Sequence, residues 1–209
     1  MVPGAGNVER IRRITYMKEK LTTRELIGAG AFGAIYVALL FAVSMALSMA
    51  PIALLLTPLV MGVIGGTVYM VYVSKIQKNG AVMILAVLVG VITSNAAIYP
   101  LLLALVWGII AEIILKVMGI SKKRSMLISY CVFNLTSIGP LFTLILAKEA
   151  FLENCLVYYG TAYAETIDKY TPSWVIFVFI GFAVAGAIVG CVVGGRLLKK
   201  HFLRVGVAA

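Results

Sequence analysis

The sequence predicts an all-α membrane protein of six transmembrane helices with its N- and C-termini in the cytoplasm. Three observations carry that fold class. Of the 209 residues, 62% are hydrophobic and only 12% charged, about half the charged fraction of a soluble domain. Apolar runs long enough to span a bilayer as helices recur at about 26–49, 58–76, 80–94, 98–117, 125–147 and 173–197. Threading six spans puts sixteen of the 18 Lys and Arg on one side, and only Lys148 and Lys169 opposite, among Glu149, Glu153, Glu165 and Asp168. Lys and Arg accumulate in cytoplasmic loops, so the formal net charge of +10 reports topology and does not ask for a nucleic-acid partner.

Residues 1–25 form a basic segment, 26–198 the transmembrane domain and 199–209 a cytoplasmic tail. In the first segment Ile11, Ile14, Met17 and Leu21 recur at helical spacing among basic residues. This suits a helix lying on the inner membrane face, or equally a partly ordered basic arm. Thr22 and Glu25 have the spacing of a capping box at the entry to the first span. That span is too long for the apolar core of a signal peptide. It carries a small residue at every fourth position: Gly30, Ala34, Ala38, Ala42, Ala46 and Ala50. Such rows let helices approach closely in lipid. Two readings stand, packing within the bundle or docking of a second membrane protein. Gly62 and Gly66 repeat the device in the second span, and Gly186, Gly190 and Gly194 in the sixth.

The connection 50–57 is almost wholly apolar, which predicts that it stays at membrane depth against protein. The third span, about 14 residues or roughly 21 Å of helix, falls short of a core about 30 Å thick. Either the helix continues to Ala97, or its end, Thr93-Ser94-Asn95, sits below the outer surface, where irregular backbone is tolerated beside a cavity. Asn95 and the following Tyr99 are therefore candidate ligand contacts. Glu112, the only acid within a span, lies four residues before Lys116 and is expected to pair with it at the interface. In the fifth span Asn134, Thr136 and Ser137 precede Pro140, which frees the Thr136 carbonyl; interhelical hydrogen bonding is expected of this group. The loop 148–172 is the longest outer connection and gathers Tyr158, Tyr159, Tyr163 and Tyr170, with Trp174 just beyond. Aromatic faces beside fixed charges suit a planar, polar-edged ligand, although interfacial belts use the same residues.

Several chemistries are missing. The sequence contains no G-x-x-x-x-G-K-[ST], no H-E-x-x-H and no G-x-S-x-G, and its single histidine is His201. The three cysteines lack metal-ligand spacing, and only Cys155 would face outside, so no disulfide is expected. An enzyme, a cofactor-dependent protein or a proton-driven pump is disfavoured.

Three stretches resemble a known family: LTTRELIGAGAFGAIY (21–36), YYGTAYAETIDKYTPSW (158–174) and AGAIVGCVVGGRLLKKHF (185–202). They are similar to the Trep_Strep, or MptD-type, membrane proteins, regarded as substrate-binding S components of energy-coupling factor (ECF) transporters. The resemblance runs from about residue 20 to the C-terminus. It implies a six-helix S component in the bacterial plasma membrane. A vitamin-, cofactor- or nucleobase-like molecule would be held near the outer face by loops and outer helix ends, where the candidate contacts read from the residues lie: Asn95, Tyr99, Tyr158, Tyr159, Tyr163 and Trp174. It also implies a transmembrane coupling protein and two cytoplasmic ATPase subunits as partners. The coupling protein would dock on the first helix, at Gly30, Ala34, Ala38 and Ala42; glycine at the first position departs from alanine but keeps the small size. The competing expectation is a self-sufficient secondary transporter or channel, for which no pair of membrane acids is available.

Overall fold

The computed structural model describes residues 21–94, 98–120 and 122–204, with side chains as far as Leu197. The expectations for Ile11, Ile14, Met17, Asn95 and the tail 199–209 lie outside the described residues or side chains. In chain order the helices are α1 (Thr23–Ser48), α2 (Pro51–Leu55), α3 (Thr57–Lys75), α4 (Ala81–Thr93), α5 (Tyr99–Met118) and α6 (Lys123–Phe133). A 3-10 stretch at Asn134–Ile138 leads into α7 (Gly139–Leu146), followed by α8 (Lys148–Tyr159), α9 (Thr161–Tyr170) and α10 (Val175–Arg204). Helices α1, α3, α5 and α10 and the broken span Lys123–Leu146 are each long and apolar enough to cross a membrane. Helix α4 is the short sixth, with 13 residues. The six runs read from sequence match these spans, with the one large difference at the end of α10.

The entry to α1 is a capping box, as its sequence predicts. The Thr22 N–H donates to the Glu25 carboxylate at 2.8 Å, and the Glu25 N–H donates to Thr22 Oγ1 at 3.4 Å. The same carboxylate holds Lys78 Nζ at 2.9 Å. Lys78 is 2% exposed, so this pair ties the start of α1 to the α3–α4 connection. We call this the basic end of the bundle; α8 and α9 cover the other, capped end.

The closest helix contact joins α3 and α10, which run parallel. A Cβ at Gly190 would strike the carbonyl oxygen of Gly62, and one at Gly186 the carbonyl oxygen of Leu59. A Cβ at Gly66 would lie 2.8 Å from Gly190 Cα. Lipid supplies no hydrophobic drive between helices, so van der Waals packing at such short range must hold them together. Asn134 fastens the contact from α6: its Nδ2 donates to Pro58 O at 3.1 Å and to Ala183 O at 2.8 Å. One turn earlier, Tyr130 donates its hydroxyl to Gly62 O at 3.0 Å. Interhelical bonding by Asn134 is thus as expected. The Thr136 carbonyl needs no distant partner, because the 3-10 geometry brings it the Gly139 N–H. Irregular backbone at this depth is viable because Asn134, Thr136 and Ser137 are all buried in protein.

Two apolar clusters result. The larger fills the basic half, around Tyr36, Tyr69, Tyr130 and Phe133. The smaller lies under the cap, around Leu55, Leu144, Ile167 and Phe179. Leu55 shows how the apolar 50–57 connection folds back on protein, as expected.

Glu112 corrects one expectation. Its carboxylate accepts the N–H groups of Gly80 at 2.5 Å, Val82 at 3.0 Å and Met83 at 3.3 Å. Among the described residues it forms no ion pair with Lys116. The start of α4 presents unsatisfied amides and a positive dipole end, and an acid that reaches them from α5 is better satisfied there than by a solvated lysine.

The seam between α3 and α10 makes a contrast testable by thermal unfolding in detergent. Gly190→Ala must push backbone apart and should lower the midpoint clearly. Gly181→Ala, where a Cβ meets nothing within 4 Å, should leave it unchanged or raised, because alanine favours helix by about 1 kcal/mol over glycine. Asn134→Leu should destabilise by about 1–2 kcal/mol, the scale of interhelical hydrogen bonds in membranes.

Candidate functional site

The segment 148–172, expected as a loop, forms the two helices α8 and α9. They are joined at Gly160, whose φ of 88° lies in the region open to glycine. Helix α9 has an apolar face, with Tyr163 and Ile167 one turn apart and both buried. Helix α8 turns Cys155 inward. Lys148 closes the pair from the far side: its Nζ meets the Asp168 carboxylate at 2.5 Å and the Thr171 carbonyl at 3.3 Å. The exposed ion pair adds little stability, but the bonds join the start of α8 to the end of α9.

The candidate ligand contacts divide on this scaffold. Tyr159 and Tyr163 are brought together, their rings stacked at 4.5 Å between centroids and 21° between planes. Tyr158 and Trp174 project from the surface, 77% and 62% exposed. Tyr99, the first residue of α5, is partly exposed. None of these three has a ring contact with the stacked pair among the described residues. Asn95 lies outside the described residues.

Tyr163 stands apart from its neighbours. It is 8% exposed, and its hydroxyl has no hydrogen-bond partner in the structure. Burial, reinforced by Cys155 and Tyr159 nearby, pushes its pKa up to about 12, so the group is a neutral donor at physiological pH. A buried, unmatched hydroxyl costs roughly 1–3 kcal/mol. Two other buried hydroxyls share the condition, Tyr36 and Ser125. Tyr36 sits beside the Tyr130 hydroxyl over Gly65, within the basic-half core. That core holds the tyrosines that sequence reading passed over. Tyr69 pairs with Ser129 Oγ at 2.7 Å, and Ser129 donates to Ala111 O at 2.8 Å. Their signal was a tyrosine set deep inside an apolar run, away from any belt.

The small-residue row of α1 has a clear position. Gly30, Ala34, Ala38, Ala42, Ala46 and Ala50 are all exposed, whereas Ala29, Gly33, Tyr36, Leu40 and Val43 form the buried face. A Cβ at Gly30 would meet nothing within 4 Å. Among the described residues the row therefore takes no part in packing within the bundle, whose tightest contact rests on the α3 and α10 glycines.

Cys155 lies in the expected segment but is buried, and burial raises its thiol pKa. The expected side of the membrane is a separate matter from this burial, which shields the thiol from reagents in solution.

Fold and site together define a multi-pass integral membrane protein with one capped end and an exposed small-residue face on α1. Residues 23–204 match the family described as "Hypothetical bacterial integral membrane protein (Trep_Strep)". The chain belongs to that family. No curated protein and no solved structure matches it.

Tyr163→Phe separates a structural from a ligand-facing hydroxyl. Removing an unmatched buried donor should raise the thermal midpoint of the ligand-free chain, by about 1 kcal/mol. A loss of stability would mean that the hydroxyl is satisfied within the fold. A membrane-impermeant maleimide should modify Cys155 far more slowly than a cysteine placed at exposed Tyr158.

Proposed function

We propose that this chain is the substrate-binding S component of an ECF-type importer. It would capture a small molecule at the outer face under the α8–α9 cap, while partner subunits hydrolyse ATP. The observation that carries the reading is the exposed row on α1. A face of six small residues at every fourth position, unused by its own bundle, is shaped for close approach of another membrane helix. An ECF transmembrane coupling protein, backed by two ATPase subunits, is the partner this reading assigns to Gly30, Ala34, Ala38 and Ala42. With the basic end in the cytoplasm, as the charge bias predicts, the cap faces outward and can meet substrate first.

The cap supports the binding half of the proposal. The Tyr159–Tyr163 stack offers an aromatic face, and the Tyr163 hydroxyl an unspent donor in a dry setting where a hydrogen bond has most value. A flat heterocycle with an acceptor at its edge, of the vitamin, cofactor or nucleobase kind, fits both. A self-sufficient secondary transporter or channel would need intramembrane ionisable groups to couple or select ions. The only acid in a described span besides the Glu25 cap is Glu112, already spent on the start of α4.

The test is transport against binding. Ala34→Trp or Ala38→Trp should abolish uptake in cells carrying the ATPase module, while the purified variant binds ligand with unchanged affinity. Full uptake by either variant would remove α1 as the docking face. The triple alanine variant of Tyr159, Tyr163 and Trp174 should instead weaken ligand binding at least tenfold. Ion-driven uptake by the purified chain alone in vesicles would favour the secondary transporter.

A further inference from the structure

We infer that the cleft between α3, α6 and α10 at the basic end binds one anionic phospholipid. The cleft has a volume of about 260 Å³. Its rim carries two cations, Lys123 from the first turn of α6 and Arg196 from α10. Below them the walls are apolar: Leu127 and Val192 on the sides, and buried Met70 and Cys191 at the floor. Gly195 lies over the floor, where a Cβ would come into ordinary contact with Met70 Cε at 4.0 Å and a larger side chain would enter the cleft.

Among the described residues the charges at the rim have no acidic partner. Neither Lys123 nor Arg196 forms an ion pair among the described residues. Six acids are described. Glu25 is paired with Lys78, Glu112 caps α4, and Glu149, Glu153, Glu165 and Asp168 belong to the cap helices at the opposite end. Two cations with no ion pair among the described residues, at the end of membrane-spanning helices and over an apolar slot, match a headgroup phosphate above an acyl chain. Basic pockets between transmembrane helices bind anionic headgroups on this principle. A free phosphate would use the rim and leave the apolar walls without purpose; an uncharged lipid would use the walls and leave the cations unmatched. Arginine adds a planar fork suited to a phosphate, and lysine a point charge beside it.

The experiment uses the full chain in neutral detergent, with phosphatidylglycerol, phosphatidylcholine and inorganic phosphate as probes. Phosphatidylglycerol should raise the thermal midpoint and survive in native mass spectra as a single adduct; the other two should do neither at the same concentration. Lys123→Gln with Arg196→Gln should keep the lipid-free midpoint, since both side chains are exposed, and weaken the lipid response on the order of tenfold or more. Gly195→Leu, which fills the floor and keeps both cations, should lose the response as well. An unchanged response in the double glutamine variant would overturn the proposal. So would equal stabilisation by phosphatidylcholine, which would mean a groove blind to charge, or by inorganic phosphate, which would mean an anion site without a lipid.

Discussion

The bundle is organised by the glycine contact between α3 and α10. In lipid two apolar helices gain nothing by hiding from solvent, so only backbone approach and hydrogen bonds can fix their distance. Gly62, Gly66, Gly186 and Gly190 remove the side chains that would keep the helices apart. Asn134 then ties both helices through backbone carbonyls, and the 3-10 stretch that begins at Asn134 turns its span across them. Both apolar clusters are built outward from this point, one toward the basic end and one beneath the cap.

Because α3 and α10 supply the tight packing, α1 is free to join the bundle with one face only. It packs on α3 and α4 through Ala29, Gly33, Tyr36 and Leu40, and its small-residue row stays outside. The basic end is held differently, by carboxylates. Glu25 reaches Lys78 and Glu112 reaches the first amides of α4, so both flanks of the α3–α4 connection are pinned. At the other end the cap rests on Cys155, Tyr163 and Ile167 and on the reach of Lys148.

Much of this was legible in the chain. The spans followed from run length, and the capping box from Thr22 and Glu25, since both depend on local sequence alone. The glycine rows were visible too, but not which of them packed inside: that choice depends on how the six helices are arranged around one another, which spacing within a single helix does not encode. Glu112 shows the same limit. Lys116 was its neighbour in sequence, yet the start of α4, some thirty residues away, offered three amides and won. The 148–172 segment looked like a loop because its polar residues masked the period of Tyr163 and Ile167. Tyr159 and Tyr163 are only four residues apart, so their stacking is a local contact; the loop-like composition of the segment hides it.

The exposed small-residue face of α1 is the feature on which docking depends. A cysteine scan in a background free of Cys131, Cys155 and Cys191 measures this directly. Single cysteines at Gly30, Ala34, Ala38 and Ala42 are compared with cysteines at Ala29, Gly33, Tyr36 and Leu40, using a membrane-soluble maleimide on the solitary protein. Rapid labelling of the first series and protection of the second is the predicted result. Equal protection of both series would place the small-residue row inside the bundle and contradict the account.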